Sequence, residues 1–240
     1  MNQNYYFGKK ALLDALNHNQ EIIQVYLSKA NANLLRELQV KNIKVEFKDA
    51  KFFSQFNTEL NHQGIAFLIK QKAKLNFKQL MNHLEAQTSS IVLILDSIED
   101  PRNFGAILRT CDAFKVDAIF YKKNNQVGIT DLVNKVSMGA SNYLNTCEVA
   151  NLTQTIESLQ KQGYWVYATT LNDKAIPYFK EKYPAKVAVV VGNEDKGVSP
   201  LVIKNSDMSI YIPMFGHVQS LNVSVATAIV LSHLSMLKNN

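Results

Sequence analysis

At 240 residues, 47% hydrophobic and 19% charged, the chain has the balance of a globular protein that can bury two modest cores. No apolar run reaches the ~20 residues that span a bilayer, and the opening MNQNYYFGKK lacks the apolar stretch of a signal peptide, so a cytoplasmic protein is expected. Cys111 and Cys147 form no CxxC pair and have no histidine cluster beside them. Neither zinc nor a disulfide is expected, and Cys111 reads as a small buried hydrophobe.

The first 70 residues alternate helix-like and strand-like segments. Lys9–Asn17 reads as a short helix and Ile22–Leu27 as an apolar strand. Leu34, Leu35 and Leu38 stand at helical spacing and predict a helix over 31–40. Ile43–Phe47 alternates as a strand, Ala50–Phe56 is helical, and Ile65–Ile69 is a buried strand. Together these make a compact α/β domain over residues 1–72, and the polar, basic stretch KQKAKLN (70–76) reads as a linker. Residues 73–85 hold that linker and a first helix, Phe77–Leu84.

A second domain, 86–240, follows. Its predicted strands are Ile91–Asp96, Ala118–Tyr121, Trp165–Thr170, Val187–Val191 and Ser209–Ile212. Its predicted helices are Asn103–Phe114, Thr130–Met138, Leu152–Gln162 and a long final one over 221–237. Strands alternating with helices, several of them continuously apolar, predict a largely parallel sheet covered on both faces. The last helix is apolar almost all round, with Val223, Val225, Ile229, Val230, Leu231 and Leu234. It must be buried on two sides, and one of those sides is expected to meet a second subunit.

Net charge is +6 and unevenly spread: residues 1–85 carry 12 Lys+Arg against 7 Asp+Glu, a net of +5. Such a basic front half either meets a polyanion or merely solubilises the surface. Only three of the 26 basic residues are arginine, Arg36, Arg102 and Arg109. In a chain that otherwise uses lysine, an arginine suggests that a planar guanidinium is needed.

On a parallel sheet a nucleotide-type ligand is expected at the carboxyl ends of the strands, and three loops there are unusual. The first runs from Asp96 to Thr110, where Phe104, Ile107, Leu108 and Cys111 make a buried helical stripe that turns Arg109 away from the sheet. Asn103 in that loop is a good helix N-cap or a ligand-facing amide. The second, Val191–Ser199, has Gly192 and Gly197 for close backbone approach and Glu194, which is either a site carboxylate or an ordinary turn residue. The third, Ile212–Ser224, leads into the last helix, with Ser220 or Asn222 as its cap. Neither GxGxxG nor GxxxxGK[ST] occurs, which disfavours a dinucleotide fold and a P-loop.

Taken in order, Asn103-x-Gly105-x-x-x-Arg109-Thr110, Gly192-Asn193-Glu194-x-x-Gly197 and Ile212-Pro213-Met214 with Ser220-Leu221-Asn222-Val223-Ser224 resemble the three motifs of the SpoU/TrmH branch of the SPOUT methyltransferases. The resemblance covers about residues 90–237. It implies a trefoil-knotted α/β catalytic domain and S-adenosylmethionine as methyl donor to a ribose 2′-hydroxyl of RNA, acting as the homodimer that the apolar final helix suggests. It also assigns roles. Arg109 would act on the hydroxyl as base or as charge stabiliser, Asn103 and Glu194 would position RNA and hold the arginine, and Ser220 and Asn222 would order the third loop. Backbone groups near Gly192, Ile212 and Leu221 would grip the cofactor, with Thr170 and Leu171 as a further wall and no metal. Phe7-Gly8-Lys9-Lys10-Ala11-Leu12 and His62-Gln63-Gly64-Ile65 also resemble the L30e-like RNA-binding domain of the bacterial 23S rRNA guanosine-2′-O-methyltransferases (the RlmB type). That points to 23S rRNA. The alternatives are a tRNA ribose methyltransferase and a non-catalytic RNA-binding or ribosome-assembly protein.

Overall fold

The computed structural model describes residues 5–17, 20–56, 62–70, 75–124, 126–218 and 220–239. The chain divides into two compact units, Met1–Lys72 and Ala73–Asn240. Most of the basic stretch read as a linker, residues 71–74, lies outside the described residues.

In the first unit, strands β1 (Tyr5–Phe7), β2 (Ile22–Leu27), β3 (Val45–Phe47) and β4 (Ile65–Ile69) form one sheet in the order β1-β4-β2-β3. β4 is antiparallel to both its neighbours, and β2 and β3 are parallel. Alternation decides the faces. Val25, Leu27, Ile65 and Phe67 point to the core shared with Leu12, Ala15 and Leu16 of α1 (Lys9–Asn17) and Leu38 of α2 (Leu35–Val40). β1 escapes sequence reading because three residues give no period. The helix expected over 31–40 is instead a 3-10 turn, Lys29–Leu34, followed by α2, with Asn31 out of helical geometry. The reason is local. The Asn31 amide donates to the Gln63 carbonyl (2.8 Å) and to Ser28 Oγ (3.0 Å), a competing arrangement for which Asn is suited. A short helix α3 (Ala50–Ser54), capped by Asp49, completes the unit.

The second unit is a seven-stranded sheet, every pair parallel. Its strands are β5 (Ser90–Asp96), β6 (Ala118–Lys122), β7 (Thr146–Val149), β8 (Trp165–Thr169), β9 (Ile176–Pro177), β10 (Lys186–Gly192) and β11 (Met208–Tyr211). They lie in the order β7-β6-β5-β10-β8-β11-β9. β5 is buried at all seven positions, as a central parallel strand must be. Ile91, Leu93 and Leu95 face α5 (Pro101–Ala113), α6 (Asp131–Val136) and α9 (Val223–Asn239). Val92 and Ile94 face α4 (Phe77–Glu85), α7 (Leu152–Lys161) and α8 (Pro200–Asn205). β7, β9 and α8 were not legible in the sequence. They are two to six residues long, and β9 ends on Pro177, a residue confined to sheet edges.

Two boundaries move with consequences. α5 begins at Pro101 behind an Asp100 cap whose carboxylate accepts from the Arg102 N–H (2.7 Å), so Asn103 is not the N-cap. α9 is less uniformly buried than its composition suggests. Val230 (1% exposed) and Leu234 (2%) are core residues of the second unit, while Val225 (47%) and Met236 (64%) face outward. Val230→Asp or Leu234→Asp would therefore place an unpaired charge in the core. Thermal or urea unfolding should show these variants destabilised beyond about 3 kcal/mol.

Candidate active site

The strand order reverses between β5, which continues to β6 and β7, and β10, which lies between β5 and β8. Register pairs Gly192 with Asp96, so the first and second loops leave the same edge side by side. This is the switch-point crevice where ligands of open α/β sheets bind.

Hydrogen bonds join all three loops. The Asn103 amide donates to Glu194 Oε1 (2.7 Å), and its own Oδ1 accepts from the Asn222 amide (3.0 Å). Asn222 Oδ1 in turn accepts from the Ser224 N–H (2.9 Å) and hydroxyl (2.6 Å), capping α9. One amide thus links residues 91 and 119 positions away. Asn103 is free for this role because Asp100 caps α5.

Arg109 is exposed on α5, and among the described residues no acceptor bonds its guanidinium. Asn103 and Glu194 bond each other and neither holds the arginine. Phe104, Ile107, Leu108 and Cys111 are fully buried beneath it, and burial pushes the Cys111 thiol far up, so that cysteine stays a protonated hydrophobe. Gly105 also has a packing reason: a Cβ there would lie 2.6 Å from Val136 Cβ on α6.

The second loop is held tightly. A Cβ on Gly192 would sit 2.1 Å from the Gly197 carbonyl carbon and 2.2 Å from the Val198 nitrogen. Asn193 and Gly197 exchange backbone hydrogen bonds (3.0 and 2.9 Å), and Gly197 takes φ +68°. Asp96, not singled out from the sequence, is 1% exposed and accepts from Lys122 Nζ (2.5 Å) and the Ser199 N–H (2.8 Å). Burial alone would raise its carboxyl, but Lys122 and Ser199 outweigh that and hold it below its ordinary 3.8. Stability from this group is present above the ordinary value and is lost as pH falls through the depressed one.

The remaining cofactor candidates gather at the same edge. The Thr170 N–H donates to the Ile210 carbonyl (3.0 Å), tying the chain after β8 to β11. Leu171 is 77% and Leu221 37% exposed, and Ile212 is half-buried. Ser220 is exposed. Beside Arg109, an open groove of about 580 Å³ runs between α5 and α9, lined by Ala106, Thr110, Tyr178, Val225, Ile229 and His233 among others. Among the described residues no group of three or more His, Cys, Asp or Glu is placed to hold a metal, and no helix is long and apolar enough to cross a membrane.

A parallel sheet with a polar three-loop crevice, preceded by a small α/β domain, fits a nucleic-acid-modifying enzyme, and comparison with known proteins narrows the class to RNA methyltransferases. The model of the SpoU rRNA Methylase family matches residues 90–232, and that for RNA 2′-O ribose methyltransferase substrate binding matches residues 5–75. A Mycoplasma genitalium protein, named as an uncharacterized tRNA/rRNA methyltransferase, is 41% identical over 232 residues, 95% of this chain and 96% of the relative. Among solved structures, the A. aeolicus TrmH/SpoU tRNA modifying enzyme is 32% identical with a TM-score of 0.58, covering 68% of this chain and 82% of that one. The AdoMet-bound rRNA methyltransferase of Sinorhizobium meliloti superposes with a TM-score of 0.76 at 22% identity, covering 97% of this chain and 87% of that one. The chain belongs to the SpoU rRNA methylase family, and its α/β fold class is the one its motifs imply.

Proposed function

We propose that this chain transfers a methyl group from S-adenosylmethionine to a ribose 2′-hydroxyl of RNA, foremost a guanosine in 23S rRNA. The observation that carries the reading is the Glu194–Asn103–Asn222 chain of hydrogen bonds, which fastens three loops together at the start of the helix that also carries the exposed Arg109. A non-catalytic RNA-binding protein has no use for that arrangement.

The residues present fit the cofactor. Gly192 leaves no room for a side chain against Gly197 and Val198, so the turn that follows β10 packs backbone against backbone at the end of the strand, where a ligand of a parallel sheet binds. Gly192, Ile212 and Leu221 would hold the cofactor through the main chain, with Thr170 and Leu171 walling one side. When bound, it supplies a methyl group on a positively charged sulfur. The protein must orient the 2′-hydroxyl in line with that bond and stabilise the negative charge that develops as its proton leaves. A guanidinium hardly ever deprotonates, so Arg109 acts as charge stabiliser and as a fork for the hydroxyl and a neighbouring phosphate. Asn103 and Glu194 orient the ribose, and Ser220 and Asn222 order the third loop.

The first unit supplies RNA affinity through its net charge of +4, 10 Lys+Arg against 6 Asp+Glu over residues 1–72. Binding of ribosomal RNA by the full chain should therefore weaken linearly in log–log with salt, measured by filter binding. Salt-independent binding would return the lysines to a solubilising role. A second copy of the chain fills the groove between α5 and α9, whose wall includes Val225 and Ile229. Val225→Asp and Ile229→Asp should then sediment as folded monomers, whereas a wild type already monomeric at micromolar concentration refutes the dimer. The function itself is tested by mapping 2′-O-methyl sites in rRNA and tRNA from a strain lacking the gene. Loss of one rRNA site supports the full reading, and loss of a tRNA site moves the substrate while keeping the chemistry. An unchanged pattern overturns the reading.

A further inference from the structure

We propose that Asp96 is a positioning residue for methyl transfer: with Lys122 it fixes the 193–199 loop and, through that loop, the carboxylate of Glu194. The inference rests on the function proposed above.

The loop is tied at both ends to two consecutive residues at the end of β5. At its start the Asn193 amide donates to the Ser97 carbonyl (2.9 Å). At its end the Ser199 N–H donates to Asp96 Oδ2 (2.8 Å). Asn193 Oδ1 also accepts from the Asp195 and Lys196 N–H groups (3.0 and 3.1 Å), which rigidifies the turn containing Glu194. Asp96 Oδ1 takes the Lys122 ammonium (2.5 Å) and the Ser97 hydroxyl (3.2 Å), so both carboxylate oxygens are engaged in holding neighbours. Glu194 itself is exposed and meets Asn103, on α5, at 2.7 Å. Its aim depends on where the loop is pinned.

Energetics favour a positioning role over a purely stabilising one. A buried ion pair is seldom worth more than apolar residues of the same volume, because two charges lose their water. Asp96 ends a strand whose preceding five positions are all apolar, and an apolar residue there would be the simpler core. Next to it Ser97 takes φ +70°, a left-handed conformation disfavoured for a residue with a side chain. Desolvated charge and backbone strain thus coincide where the first and second loops are joined. Strain held in place by its surroundings is a mark of functional sites.

Asp96→Asn keeps the shape and an acceptor for Ser199, but it removes the charge opposite Lys122. The full-length variant is compared with Glu194→Gln and the double variant, using labelled S-adenosylmethionine and total RNA from a strain lacking the gene. If Asp96 works through Glu194, each single substitution lowers kcat by about 10- to 100-fold, the scale of an ångström-sized misplacement. In the Glu194→Gln background, Asp96→Asn then adds less than about twofold, by the logic of the double-mutant cycle. Multiplicative losses, or wild-type kcat in Asp96→Asn with only a lower melting temperature, overturn the proposal. Should Asp96→Asn fail to fold, Lys122→Gln, changed from the more exposed side of the pair (29% against 2%), must show the same non-additivity. A wild type that transfers no methyl to any RNA fails the function, whereas an active wild type with an additive cycle fails Asp96 alone.

Discussion

Arg109→Ala will lose at least ~100- to 1000-fold in turnover, the usual effect of removing one charge-stabilising donor, while cofactor binding and fold stay intact. A neutral ribose hydroxyl is a weak nucleophile, and its oxygen gains negative charge as the new bond forms. Arg109 is exposed on a helix whose opposite side, Phe104, Ile107, Leu108 and Cys111, is locked into the core. Its backbone is therefore rigid while its guanidinium, bonded to no acceptor among the described residues, is available to substrate. Arg109→Lys keeps the charge and loses the planar fork, so it too should lose most of its turnover. Neither change should move stability by more than ~0.5 kcal/mol, as expected for an exposed position. Single-turnover assays on folded variants check this, and near-normal rates in Arg109→Ala would remove the arginine from the mechanism.

Gly192→Ala should be nearly as damaging, through geometry alone. The added methyl would stand 2.1 to 2.3 Å from backbone atoms of Gly197 and Val198, where no side-chain rotation can relieve it. Overpacking usually costs ~1–3 kcal/mol, and against main chain the upper end applies unless the loop shifts. A shift moves Glu194 off Asn103, so loss of cofactor binding and of turnover is expected either way. Gly128→Ala, where an added Cβ meets nothing within 4 Å, is the control and should behave as wild type. Calorimetric titration of both variants with S-adenosylmethionine is the check. Wild-type affinity in Gly192→Ala would show that the 192–198 turn is not part of the cofactor site.

Most of the second unit was legible because its signals are long. Val187–Val191 and Ile91–Leu95 are short, unbroken, β-branched-rich apolar runs, the pattern of a strand buried on both faces, and α5 carries a full helical stripe. What could not be read is what depends on contacts distant in sequence. Asn103 fits a helix cap as well as a site, and only the Asp100 cap and the bonds to Glu194 and Asn222 decide between them. Asp96 carried a weak signal, a lone acid closing an apolar strand, but its partners Lys122 and Ser199 lie 26 and 103 residues on. The two faces of α9 are likewise indistinguishable by composition. Val225 and Val230 are the same residue type, and packing against the seven-stranded sheet alone separates the exposed one from the buried one.

The central claim is tested most directly by the nucleoside that the enzyme makes. Purified full-length protein is incubated with methyl-labelled S-adenosylmethionine and RNA from a strain lacking the gene, and the RNA is digested to nucleosides and separated. Label in a 2′-O-methylnucleoside, foremost 2′-O-methylguanosine from 23S rRNA, is the predicted result, and it should vanish with Arg109→Ala. Label in a base-methylated nucleoside, or no transfer to any RNA by folded, cofactor-binding protein, would contradict the account.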